Sequence, residues 1–142
     1  MDLVIDANVL FAAFIKNSTT RRLLLTKTPT PLRLYTTPFI LEEAYKYRKL
    51  LARKASINEN ELMGLMLELV SASNIEIIGK DELSRFKEEA AKVSPRKNDA
   101  PYFAVALYKK CRLWSNDKPL KSQGSVVVIT TKELLEILDN MK

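Results

Sequence analysis

Met1-Asp2-Leu3-Val4-Ile5-Asp6-Ala7-Asn8-Val9-Leu10 is the stretch that decides the fold. Leu3, Val4 and Ile5 make a short, wholly apolar run, which is how a strand buried on both faces reads. A helical pattern follows from Asn8 to Ile15 and another from Thr20 to Thr26, and Arg33–Thr36 is a second strand, introduced by Pro29 and Pro31. The alternation continues with a long helix over Pro38–Ala55 and a second from Asn58 to Ser71 behind an Asn58-Glu59-Asn60-Glu61 start of the capping type. Ile75–Ile78 is a strand, at an edge given its charged Glu76, and helices follow over Lys80–Lys92 and Asn98–Lys110. Arg112–Trp114 and Val126–Ile129 complete the strands and Thr130–Met141 closes the chain as a helix. Short strands separated by helices predict an α/β fold, a three-layer sandwich with a mainly parallel central sheet flanked by helices. At 142 residues, a single domain over 1–142 is expected.

Composition limits the chemistry. The chain has no His and one Cys, Cys111. A Ser-His-Asp triad, a Cys-His pair, a histidine-ligated metal and an intramolecular disulfide are therefore excluded, and the lone thiol suits a reducing cytoplasm. Two acids, Asp2 and Asp6, precede or end the first apolar run where a signal peptide wants bases, and no apolar run approaches the ~18 residues of a membrane span. A soluble cytoplasmic protein is expected. Net charge is +6 and the pI about 9.4, which suits a polyanionic partner without requiring one.

The charge is unevenly placed. Residues 7–54 hold ten Lys and Arg against Glu42 and Glu43; residues 92–121 hold eight against Asp99 and Asp117. These few acids, with Asp6, are the candidates for chemistry. Asp6 ends the first strand and Asp117 follows the strand Arg112–Trp114, and ligands of open parallel sheets gather outside the carboxyl ends of strands. Each acid also has a plain structural reading: Asp6 as a helix N-cap, Asp117 as an Asx-type turn residue, and Asp99 or Asn98 as a cap. On a helical wheel with Ile40 at zero, Ala44, Tyr47 and Leu51 form the buried stripe and Glu43 lies on its margin, in need of a partner. Glu42 lies on the charged face, where an i,i+4 pair with Lys46 accounts for it. Tyr45, Tyr47 and Trp114 could stack on bases, but the stripe and the strand make the core the expected place for Tyr47 and Trp114. Carboxylates gathered in basic sequence call for an oxygen-preferring divalent cation, Mg²⁺ or Mn²⁺.

Four segments in order, Val4-Ile5-Asp6-Ala7-Asn8-Val9-Leu10, Thr37-Pro38-Phe39-Ile40-Leu41-Glu42-Glu43, Asp99-Ala100-Pro101-Tyr102-Phe103-Ala104-Val105-Ala106-Leu107 and Leu113-Trp114-Ser115-Asn116-Asp117, resemble the acidic motifs of PIN-domain nucleases. The resemblance spans nearly the whole chain. It implies a Mg²⁺- or Mn²⁺-dependent endoribonuclease whose catalytic and metal-binding acids are Asp6, Glu43, Asp99 and Asp117, with Asn8 and Ser115 as polar support. Arg96, Lys97 and Lys118, nearest the motifs in sequence, are expected to contact RNA phosphates. The family's small members resemble the toxins of VapBC-type pairs, which implies single-stranded RNA as substrate, a small antitoxin as partner, and a homodimer. Many members carry a further acid near the third motif, where this chain has Ser94-Pro95-Arg96-Lys97-Asn98.

Other readings stay open at this level: an RNA-processing or decay nuclease without an antitoxin, or a non-catalytic RNA-binding or scaffold module on the same fold. A phospho-acceptor signalling domain wants adjacent acids after its first strand, and a DxD phosphatase wants an acid at position 8. Here Ala7 and Asn8 follow Asp6.

Overall fold

The structure is a computed structural model and describes residues 1–14, 18–25 and 32–141. Five strands, β1 (Asp2–Ile5), β2 (Arg33–Thr36), β3 (Glu76–Ile77), β4 (Arg112–Trp114) and β5 (Val128–Ile129), form one sheet in the order β3-β2-β1-β4-β5. Every pairing is parallel. The helices are α1 (Ala7–Ala12), α2 (Thr19–Leu25), α3 (Phe39–Lys46), α4 (Arg48–Ala55), α5 (Glu59–Ala72), α6 (Lys80–Leu83), α7 (Lys87–Val93), α8 (Ala100–Lys109) and α9 (Thr131–Asn140). Together they make the expected three-layer α/β sandwich, with α8 packed on β1, β2 and β4 and covered in turn by α7. Among the described residues no helix is long and apolar enough to cross a membrane.

The strand order positions everything that follows. From β1 the chain builds outward through β2 to β3, then returns to the other side of β1 as β4 and β5. The β1/β4 seam is therefore the point where the order reverses, and loops leaving the carboxyl ends of these strands diverge to open a crevice. In the seam Ile5 pairs with Trp114, so the residues that follow, Asp6 and Ser115, emerge side by side. Leu3, Val4, Ile5, Leu113 and Trp114 are fully buried, which fixes the register of these two strands from both faces.

Element boundaries differ from expectation in instructive places. The helix expected over Pro38–Ala55 is two, separated at Tyr47 (φ −99°, ψ 12°), although the Tyr47 N–H donates to the Glu43 carbonyl and the Leu51 N–H to the Tyr47 carbonyl, each at 3.0 Å. The helix expected over Lys80–Lys92 is α6, a 3-10 turn at Ser84–Phe86, then α7; the Ser84 hydroxyl donates to the Asp81 carbonyl at 2.7 Å, a local bond that competes with the helical ladder. Asn98 and Asp99 lie in a 3-10 turn, and α8 starts at Ala100 with Pro101 in its first turn, where a missing N–H costs nothing. The strands expected at Ile75–Ile78 and Val126–Ile129 shorten to two residues each, and β3 is an edge as anticipated. Asn58 caps α5, accepting from the Glu61 N–H at 2.8 Å, and Thr130 and Glu133 form a capping box at the start of α9. Expectations resting on Ile15, Thr26, Pro29 and Pro31 lie outside the described residues.

Candidate active site

Asp6 follows β1 directly and serves two purposes at once. One carboxylate oxygen accepts from the Val9 N–H at 2.9 Å, capping α1, and the other accepts from the Ser115 hydroxyl across the β1/β4 seam. The side chain is 2 % exposed. Desolvation pushes its pKa up to about 6 against the pull of the two hydrogen bonds, and the charges of Asp99 and Asp117 push the same way. An acid held so far from water, with two more acids near enough to repel it, is expensive to keep ionised.

Ser115, fully buried, is the hinge between two of these acids: while donating to Asp6, its oxygen accepts from the Asp117 N–H at 3.1 Å. Among the described residues the Asp117 carboxylate makes no turn bond of its own; its neighbour Asn116 reaches the start of α9, its Oδ1 accepting from the Thr131 N–H at 2.8 Å. That leaves the Asp117 carboxylate free to pair with Arg96. Asp99, likewise, makes no capping bond; it faces the Arg96 Nε at 3.4 Å. Burial raises the Asp99 pKa, Arg96 opposes the rise and Asp117 adds to it.

Glu43 does find a partner, and it is not a cation. The Tyr102 hydroxyl donates to Glu43 Oε1 at 2.6 Å. Burial raises the Glu43 pKa, the Tyr102 bond lowers it, and the charge of Asp99 raises it again, so Glu43 stands within electrostatic reach of the group. Burial, the bond to Glu43 and the charges of Glu43, Asp6 and Asp99 drive the Tyr102 phenol far above its usual range, so it stays a donor. Tyr102 was not among the candidate residues read from the sequence. Its spacing of three from Asp99 at the start of α8 was the available signal, because such positions share a helix face. Glu42 is outside the group: it is exposed, and its partner is Lys80 at 3.8 Å, in place of the expected Lys46.

The basic residues divide. Arg96 was expected to contact phosphate; instead its guanidinium spans Asp99 and Asp117. Lys97 borders the cavity in front of the acids, whereas Lys118 is exposed and does not line it. Asn8 is exposed on the rim of the same cavity. The cavity holds about 610 Å³ and runs from Asp99 and Asp117 past Glu43 of α3 to Tyr47, between the two helices, and to Leu50 and Lys54 of α4. Trp114 is in the core, as expected, with its Nε1–H donating to the Thr131 hydroxyl at 2.9 Å. Tyr47 is not: Ile40, Ala44 and Leu51 of the same stripe are buried, but Tyr47, at the break between α3 and α4, is 39 % exposed on the cavity wall.

Carboxylate oxygens are the donors a hard divalent cation prefers. Among the described residues no three acidic or cysteine side chains are already drawn together as a cation site, and the positive charge between Asp99 and Asp117 is that of Arg96. A family model described as PIN domain matches residues 4–139. No curated protein matches the chain.

Proposed function

The chain belongs to the PIN-domain family, whose members are generally nucleases that use divalent metal ions, and on that premise we propose that it is a Mg²⁺- or Mn²⁺-dependent endoribonuclease. The observation that carries this reading is the meeting of Asp6, Asp99 and Asp117 at the strand-order switch, close enough to repel one another, with Arg96 paired to Asp99 and Asp117. The fit to a cation follows from that arrangement: Asp6 and Asp99, which burial and neighbouring acids hold back from ionisation, are oxygen donors whose charged form a divalent ion would favour. Asp6, Asp99 and Asp117, with Glu43 at the margin, would hold it. When bound, the ion supplies a nucleophilic water at neutral pH and neutralises charge on the phosphate. The chain's own part is to aim the acids: Ser115 ties Asp6 to the Asp117 loop, and Tyr102 orients Glu43. Lys97 on the cavity rim serves the phosphate chain, and Lys118 from outside it.

A cleavage assay on a mixed pool of single-stranded RNA, with Mn²⁺ or Mg²⁺ and with EDTA, tests this. Cleavage with metal and none with EDTA is expected. Glu43→Gln should slow it roughly 10- to 100-fold, as loss of a group orienting a metal site does. Glu42→Gln, an exposed ion pair away from the cavity, should stay within about twofold of wild type. No cutting with either ion, or cutting that ignores EDTA, overturns the reading.

Arg96 gives a second expectation. If its guanidinium is the counter-ion that a metal must compete with, Arg96→Gln should tighten Mn²⁺ binding, measured by calorimetry without RNA, by roughly three- to tenfold, the range that one or two half-exposed ion pairs support. Weaker Mn²⁺ binding in the variant would show that Arg96 organises the acids.

The narrower role, a cytoplasmic VapC-type toxin acting as a homodimer and held by a small antitoxin, draws its support from the resemblance of the ordered motifs. Copurification with a small DNA-binding protein encoded beside this chain is its test.

A further inference from the structure

We propose that the cavity beside the acids is a nucleobase subsite, in which Tyr47 and Phe11 receive an unpaired base of the RNA next to the scissile phosphate and Lys54 meets a phosphate further along the strand. The proposal rests on the ribonuclease reading and deepens it. Phe11 of α1 and Tyr47 meet edge to face, ring centres 6.3 Å apart and planes at 68°, and both rings border the cavity. Tyr47 is exposed and Phe11 half-buried against the core, so together they offer the cavity a partly open aromatic surface that a flat apolar group would cover.

The cations define what that group carries. Tyr47, Leu50, Leu51 and Lys54 recur at helical spacing and all line the cavity, so α4 presents one apolar-to-basic edge to it. Helix α4 contains Arg48, Lys49, Arg53 and Lys54 and no acid, and Lys54 has no ion-pair partner among the described residues. The Lys46 ammonium, outside the residues that line the cavity, lies 5.3 Å from the Tyr47 ring centre and adds positive charge beside it. At the opposite end stand Asp99 and Asp117. An apolar peptide would leave the cations unanswered, and a bare polyanion would leave the rings uncovered. A single strand of RNA answers both, with a base on the rings and phosphates on Lys54 and toward the acids. A duplex answers only the second, because its bases are already stacked and paired. The volume, about 610 Å³, is in the range of sites that enclose a small organic ligand.

The test is fluorescence anisotropy of a fluorescein-labelled oligouridine in EDTA, so that nothing is cut, across a series of NaCl concentrations. Tyr47→Ala should weaken binding roughly 5- to 100-fold with the salt slope unchanged, and Tyr47→Phe should retain it, since stacking needs the ring and not the hydroxyl. Lys54→Gln should flatten the log–log salt slope by about 0.7, the value of one single-strand phosphate. A duplex of the same length should be indifferent to Tyr47→Ala. Thermal melting of each variant checks that the fold is intact. Oligouridine binding equal in Tyr47→Ala and wild type, in a protein that cleaves RNA with Mn²⁺, overturns the subsite alone and leaves the aromatic wall to a protein partner. Neither binding nor cleavage by wild type overturns the ribonuclease reading with it.

Discussion

Asp6→Asn is expected to reduce metal-dependent RNA cleavage by about a thousandfold or more while making the metal-free protein more stable at pH 7.5. The loss of activity follows from removing a charged oxygen donor from acids that act as a unit. The gain in stability follows from linkage. Asp6 has its pKa raised from 3.8 to about 6 in the fold. Between those values the unfolded chain has already released the proton that the folded chain still holds. The contribution of Asp6 to stability is therefore greatest below pH 4, falls as pH rises to about 6, and is flat above. The whole interval corresponds to about 3 kcal/mol. Asparagine removes the ionisation and keeps an oxygen to accept from Val9, but its amide now donates to Ser115, which must accept from it and from the Asp117 N–H together. A net gain of about 1–2 kcal/mol, or a few degrees of melting temperature, is what remains. Melting curves of wild type and variant in EDTA from pH 4 to 8, beside the cleavage assay, check both halves. A variant that melts lower at pH 7.5 would mean that Asp6 is there to cap α1, and one that still cuts would remove it from the site.

The candidate site was partly legible in the sequence. Asp6 and Asp117 could be found because each follows a short apolar strand, and a strand that short leaves little doubt about where it ends. Ser115 could be proposed only as support from its place in a motif. Its bond to Asp6 depends on the Ile5–Trp114 register, which follows from β1 and β4 being neighbours, and strand order is set by packing far from both residues. The wheel chose Glu43 over Glu42 correctly as the residue near the buried stripe, since Ile40, Glu43 and Ala44 share one uninterrupted helix. The same wheel held at Leu51 and failed at Tyr47, where the stripe runs past the open cavity and a wheel does not show what lies opposite it. The ion pairs of Arg96 were not legible for a different reason. Its partners lie three and twenty-one residues away, and a charge count places it in basic territory without showing that a loop turns it back onto two acids.

Ser115→Ala is expected to slow cleavage roughly 10- to 100-fold and to move the rising limb of the pH–rate profile to higher pH, so that raising the pH restores much of the loss. The Ser115 hydroxyl is the larger of the two hydrogen-bonding influences that hold the Asp6 pKa down, with the Val9 N–H the other. Without it, one oxygen of a fully desolvated carboxylate has no donor, the neutral acid gains, and at a given pH a smaller share of molecules has Asp6 ionised. The Asp117 N–H loses its acceptor in the same substitution, which loosens the loop that brings Asp117 to the site. Two effects are thus superimposed and can be separated: the ionisation effect disappears at high pH, whereas the looser loop lowers the plateau. A structural role for Ser115 alone would lower the rate by the same factor at every pH. A profile displaced along the pH axis shows that the serine sets the charge on Asp6, and a profile merely scaled down shows that it does not.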